Sequence, residues 1–133
     1  MKDEENPLRA ASELARAGKL SEAIACLEAV LARTRPNASR PANTPILAKT
    51  AGLFCEQDGK LLRAASYYDE AIATGNPEPL THVALADVYF RLGRVNEAQA
   101  CLVRAESLAQ SSSDDDALRI VATTRTRWMG GKG

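Results

Sequence analysis

The chain repeats itself, and that repetition limits the possible folds more than any local property does. The run Ala17-Gly18-Lys19-Leu20-Ser21-Glu22-Ala23-Ile24-Ala25-Cys26-Leu27 aligns with Leu92-Gly93-Arg94-Val95-Asn96-Glu97-Ala98-Gln99-Ala100-Cys101-Leu102. Between them, Asp58-Gly59-Lys60-Leu61-Leu62-Arg63-Ala64-Ala65-Ser66-Tyr67-Tyr68 has the same outline. The shared glycines stand at 18, 59 and 93, separations of 41 and 34 residues. Periods of this length belong to stacked units, none of which can bury its apolar face alone. The surplus in the first interval falls in Arg35-Pro36-Asn37-Ala38-Ser39-Arg40-Pro41-Ala42-Asn43. Its Pro, Asn and Ser favour turns, so a long connection is expected there.

Each unit divides into two helices around its glycine. Helix starts are marked by a capping residue and a proline, whose missing N–H would be unpaired in the first turn anyway. Asn6-Pro7 and Thr44-Pro45 open the first and second units, and Asn76-Pro77 or Glu78-Pro79 the third. The glycine closes each first helix, and Ser21 or Asn96 is expected to cap the next one. Leu62 stands at that place in the middle unit. In the third unit Val83, Leu85, Ala86, Val88, Tyr89 and Leu92 cover a broad helical face, with Asp87 and Arg91 elsewhere. Small residues recur where two helices must cross closely: Ala11, Gly52 and Ala86 on the first helices, Ala23, Ala64 and Ala98 on the second.

Beyond Gln110 the pattern changes. Ser111-Ser112-Ser113-Asp114-Asp115-Asp116 is a polar, acidic helix start, suited to the positive end of a helix dipole. Ala117, Leu118, Val121 and Trp128 then share one face, as a helix covering the apolar end of a repeat array would require. Gly130-Gly131-Lys132-Gly133 is expected to fray.

These residues resemble the tetratricopeptide repeat family over about residues 5–110. The third unit carries the resemblance through Leu85-Ala86, Tyr89, Gly93, Ala98, Leu102 and Ala105, with Gln110 in place of the family's proline. The middle unit carries it through Gly52, Gly59, Ala64, Tyr68 and Ala71, with Pro77 one place late. The first offers Ala10-Ala11, Leu14, Gly18, Ala23 and Leu27, but Val30 replaces the second alanine. The family's early tryptophan is missing, its places held by Pro7, Ala48 and His82.

The resemblance implies an all-α, right-handed α-solenoid of three hairpins and a C-terminal capping helix, about seven helices in one domain spanning 1–133. The repeats would cover about 5–35, 44–76 and 77–110, and the capping helix about 114–129. It also implies a concave groove, lined by the first helices, that holds a partner's peptide or helix. Its positions carry over to Leu8, Ser12 and Ala15, then Lys49, Leu53 and Glu56, then Val83, Asp87 and Phe90. A subset of the family clamps acidic chaperone tails between basic and amide side chains. Here Leu8, Ser12 and Leu53 replace the partners that Lys49 would need, and Asp87 would repel a carboxylate, so that ligand is not expected.

Charge and chemistry narrow the function further. The 17 basic and 17 acidic residues balance, which removes the electrostatic argument for nucleic acid. No stretch approaches the ~18 apolar residues of a membrane span, and none suits a signal peptide. Cys26, Cys55 and Cys101 are odd in number and form no CxxC, so neither a disulfide framework nor a zinc site is expected, and a reducing cytoplasm is. His82 is the sole histidine and has no nucleophile near it in sequence, and no phosphate-binding glycine motif appears. Asp114–Asp116 reads as a helix start, and the basic Arg119, Arg125, Arg127 and Lys132 as charge suited to a helix C-terminus. No enzymatic activity, cofactor or metal is expected. The expectation is a cytoplasmic adaptor, scaffold or small co-chaperone, monomeric rather than homo-oligomeric. The alternative is a subunit that self-assembles through its end helices.

Overall fold

A computed structural model of the chain describes residues 6–34 and 42–130. Most of the connection expected over Arg35–Asn43, and the glycine-rich end from residue 131, lie outside them. Among the described residues all regular structure is helical: α1 (Pro7–Arg16), α2 (Leu20–Thr34), α3 (Thr44–Gln57), α4 (Leu61–Ala73), α5 (Pro79–Arg91), α6 (Val95–Ser111) and α7 (Asp115–Gly130). Helices α1 and α2, α3 and α4, and α5 and α6 pair as hairpins, and α7 lies against α6. The chain forms two compact units, one ending at Asn76 and the other beginning at Pro77. The expected helical-hairpin repeat with a closing helix is therefore present.

The hairpin turns explain why the glycines are periodic. Gly18 has φ +83°, a conformation that costs an L-residue roughly 1–2 kcal/mol and glycine little. Its N–H donates to the Ala15 carbonyl at 3.0 Å and the Lys19 N–H to the Leu14 carbonyl at 2.8 Å, which satisfies the end of α1. The Lys19 carbonyl then accepts from the Ala23 N–H at 3.0 Å and so begins α2. Asp58-Gly59-Lys60 and Leu92-Gly93-Arg94 repeat these bonds. One residue thus ends one helix and starts the next, leaving no room for a separate cap. Ser21 and Asn96, expected to cap, lie one residue inside α2 and α6 instead. The caps of α4 and α6 are Lys60 and Arg94, without side-chain cap bonds.

The proline-marked starts differ from one another. Asn6 caps α1 by accepting from the Arg9 N–H at 3.1 Å. Thr44, expected to cap α3, is already helical and is buried, and Asn43 precedes it as cap. Glu78-Pro79, the second of the two alternatives, opens α5. Asp114 caps α7 by accepting from the Ala117 N–H at 3.0 Å.

In the first unit the core is built mainly from alanine and leucine, with Tyr68 its largest fully buried side chain. Ala11, Ala23 and Ala64 have no exposed surface, as close crossings require. A Cβ added to Gly52 would lie 2.8 Å from Cδ1 and Cε1 of Tyr68, so the ring occupies the space a side chain would need. In the second unit Val83, Ala86, Leu102, Ala105 and Val121 form the core, with Cys101 and Trp128 packed against it. Helix α7 contributes Ala117, Val121 and Thr124 as buried residues, while Ala122, Thr123 and Thr126 remain exposed.

Candidate protein-interaction surfaces

In the first unit the candidate groove residues lie on α1 and α3, which touch. Leu8, Ser12 and Ala15 are half-buried on α1. Lys49, Leu53 and Glu56 follow one another at intervals of four and three along α3, so they share one face. Leu53 is 38% exposed, an apolar side chain between a cation and a carboxylate. Glu56 also supports the packing beneath this face, because its Oε1 accepts from the Tyr68 hydroxyl at 2.8 Å. The ring that sits over Gly52 is thereby tethered to the edge of the candidate surface.

In the second unit the corresponding positions on α5 are engaged by α7. Val83 is 9% exposed and belongs to the core. Asp87 Oδ1 accepts from Arg127 Nη2 at 3.1 Å, and its Oδ2 lies 3.6 Å from Arg91 Nη1. The two guanidiniums beside this carboxylate offset its field at the surface. Phe90 stacks on Trp128 with centroids 4.5 Å apart and planes inclined by 4°. Arg127 and Trp128 are the residues here that sequence reasoning did not assign to the first-helix face. Both stood out in sequence, one in a basic run and one as the sole tryptophan. Nothing local linked them to partners on α5, because Arg127 and Asp87 are 40 residues apart.

A cleft of about 460 Å³ lies beside this stack. Phe90 reaches it from α5, Val95, Gln99, Leu102 and Val103 from α6, and Arg125, Trp128 and Met129 from α7. Arg125 Nη2 donates to Glu106 Oε1 at 3.2 Å, with both side chains about two-fifths exposed. Trp128 Nε1 is buried and meets no acceptor among the described residues.

The residues weighed as chemical groups have structural surroundings. Burial, followed by the nearby Glu28 carboxylate, pushes the Cys55 thiol up to about 11, against the opposing pull of Arg63 and Lys60. At neutral pH it is protonated and a weak nucleophile. His82 is 5% exposed within α5. Arg119 pairs with Asp116 at 3.0 Å, on the outer surface of α7, where such pairs contribute about 0–1 kcal/mol. Among the described residues no helix is long and apolar enough to cross a membrane.

A family model described as tetratricopeptide repeat matches residues 81–112. That span covers nearly all of the α5–α6 hairpin. No curated protein matches the chain. The resemblance read from the sequence is supported over the third hairpin, and the all-helical hairpin repeat agrees with it.

Proposed function

We propose that the protein is a non-enzymatic interaction module that holds a peptide or helix of a partner against the faces of its first helices. Tetratricopeptide repeats in general mediate protein–protein contacts, and the match over residues 81–112 supports that class of function. The observation that carries the reading is the row Lys49, Leu53, Glu56 on α3, with the half-buried Leu8 and Ser12 on α1, a helix that touches α3. A partly exposed leucine between opposite charges suits a segment of mixed polarity. In the second unit, taken by itself, Asp87 and Phe90 are half-buried on α5 and Val83 belongs to the core. We read the compartment as cytoplasmic, in keeping with the free thiols Cys26, Cys55 and Cys101.

The test is affinity capture from a lysate of the source organism, with light scattering on the purified chain. Leu53→Asp and Lys49→Glu should abolish capture of a specific partner without changing helicity by circular dichroism. Capture that survives both substitutions would sink the surface assignment. A stable oligomer that captures nothing would move the function to self-assembly.

A further inference from the structure

Helix α7 is held differently along its length. Its buried residues, Ala117, Val121 and Thr124, all precede Arg125. Beyond Thr124 no residue of α7 is buried: Arg125 and Trp128 are half-buried, and Thr126, Arg127, Met129 and Gly130 are exposed. Intrinsic preference for helix changes at the same place. Ala117, Leu118, Arg119 and Ala122 are good helix formers, whereas Thr123, Thr124, Thr126, Trp128 and Gly130 rank below them. The Thr124 hydroxyl donates to the Ile120 carbonyl at 2.8 Å, a bond of the kind that slightly weakens a helix and often bends it.

Partly exposed contacts hold the end of α7. Arg125 pairs with Glu106 at 3.2 Å and Arg127 with Asp87 at 3.1 Å. The four side chains are between 26% and 58% exposed, so water and salt compete with both pairs. The other anchor is Trp128, stacked on Phe90 and packed against the core. Its indole N–H is buried and meets no acceptor among the described residues. Such a donor has lost its hydration without replacement, and opening would restore it. Release of this end therefore gives up little, and the buried stripe from Ala117 to Thr124 can stay in place.

Phe90 and Asp87 are two of the positions that the repeat resemblance sets on the partner-binding face, and Trp128 and Arg127 lie against them. We propose that Arg125–Gly130 is a strap that opens by itself about Thr124 while the rest of α7 stays docked, covering and uncovering Phe90 and Asp87. A partner that needs Phe90 then binds the open form, and its apparent affinity falls with the fraction closed. That use rests on the reading of the first-helix faces as partner surfaces. The opening itself does not.

The test is residue-resolved amide exchange by NMR on the full chain, with acrylamide quenching of Trp128, the sole tryptophan. Amides of Arg125–Gly130 should exchange as one group, about tenfold or more faster than those of Ile120–Thr124 after correction for intrinsic rates. Arg127→Gln, at an exposed position and with helix propensity nearly kept, should speed the first group by about two- to fivefold. It should leave Ile120–Thr124 and the melting temperature unchanged, and its effect should shrink at about 1 M salt. Phe90→Leu should speed the same group and raise acrylamide quenching of Trp128. Rates that climb residue by residue toward Gly130 and ignore both substitutions would mean ordinary fraying and overturn the strap. Equal acceleration of Ile120–Thr124 would mean that α7 leaves as a whole, and would overturn it too. None of these readings involves a partner, so failure here and failure of the α3 row remain distinguishable.

Discussion

At Gly52 two costs oppose each other, and the structure sets which is larger. Glycine inside a helix is about 0.5–1 kcal/mol less favourable than alanine. An alanine here would press a methyl within 2.8 Å of the Tyr68 ring, which is fully buried and tethered to Glu56. Overpacking of this kind costs about 1–3 kcal/mol. Gly52→Ala is therefore expected to lower unfolding free energy by about 1–2 kcal/mol in urea titrations. With Tyr68→Leu already in place the sign should reverse, leaving only the helix-propensity gain. The same sign in both backgrounds would mean that the ring is not what excludes a side chain. Cys55 gives a second residue-scale test. Its thiol titrates near 9 when unburied and at about 11 in the folded chain, chiefly through burial. Between those values the unfolded chain has lost the proton and the folded chain keeps it. The stabilising contribution is complete below pH 9 and is lost as pH rises through 11. The urea midpoint should thus fall more steeply over that interval in the wild type than in Cys55→Ala, which lacks the group.

Among the elements, the turn between α6 and α7 departs from the glycine rule of the hairpins. Ser113 has φ +55°, and the bonds around it match those of a glycine-closed helix end: Asp114 N–H to the Ala109 carbonyl at 2.8 Å, Ser113 N–H to the Gln110 carbonyl at 3.2 Å. Ser113→Gly should relieve the left-handed strain at some expense in chain entropy, a net gain of about 0.5–1 kcal/mol in thermal or urea unfolding. A loss instead would show that the serine itself holds the turn. The contrast explains what could be read in the sequence. Gly18, Gly59 and Gly93 are legible because a positive φ at a tight turn leaves glycine with little competition, and Ala11, Ala23 and Ala64 because close crossings exclude bulk. The capping assignments for Ser21, Thr44 and Asn96 failed because each turn uses its residue after glycine for both helices, or starts one residue early. The docking of α7 was half legible: the apolar spacing of Ala117, Val121 and Trp128 marked a packing face. It did not mark which helix Arg127 and Trp128 would meet. The α3 row could be placed from the repeat alone, whereas the apolar cleft needed two helices brought side by side.

For the whole molecule the decisive property is that each unit is held together mainly by helices adjacent in sequence. In such arrays stability is close to a sum of individual helices and nearest-neighbour contacts, so it need not be uniform. Helix α1 is ten residues long and fully buries one side chain, Ala11, whereas α3 buries Thr44, Leu47, Ala48, Ala51, Gly52 and Cys55. Amide exchange in the first unit should therefore be fastest in α1 and slowest in the α3–α4 hairpin. The Asn6 cap separates local opening from opening of the whole unit. Removing its bond to the Arg9 N–H by Asn6→Ala costs about 1 kcal/mol, which corresponds to roughly fivefold in an opening equilibrium. If α1 opens by itself, exchange there should speed up by about that factor while α3 and α4 keep their rates. Equal acceleration across α1 to α4 would show instead that the unit opens as one body, and that its nearest-neighbour contacts are strong enough to make four helices cooperative.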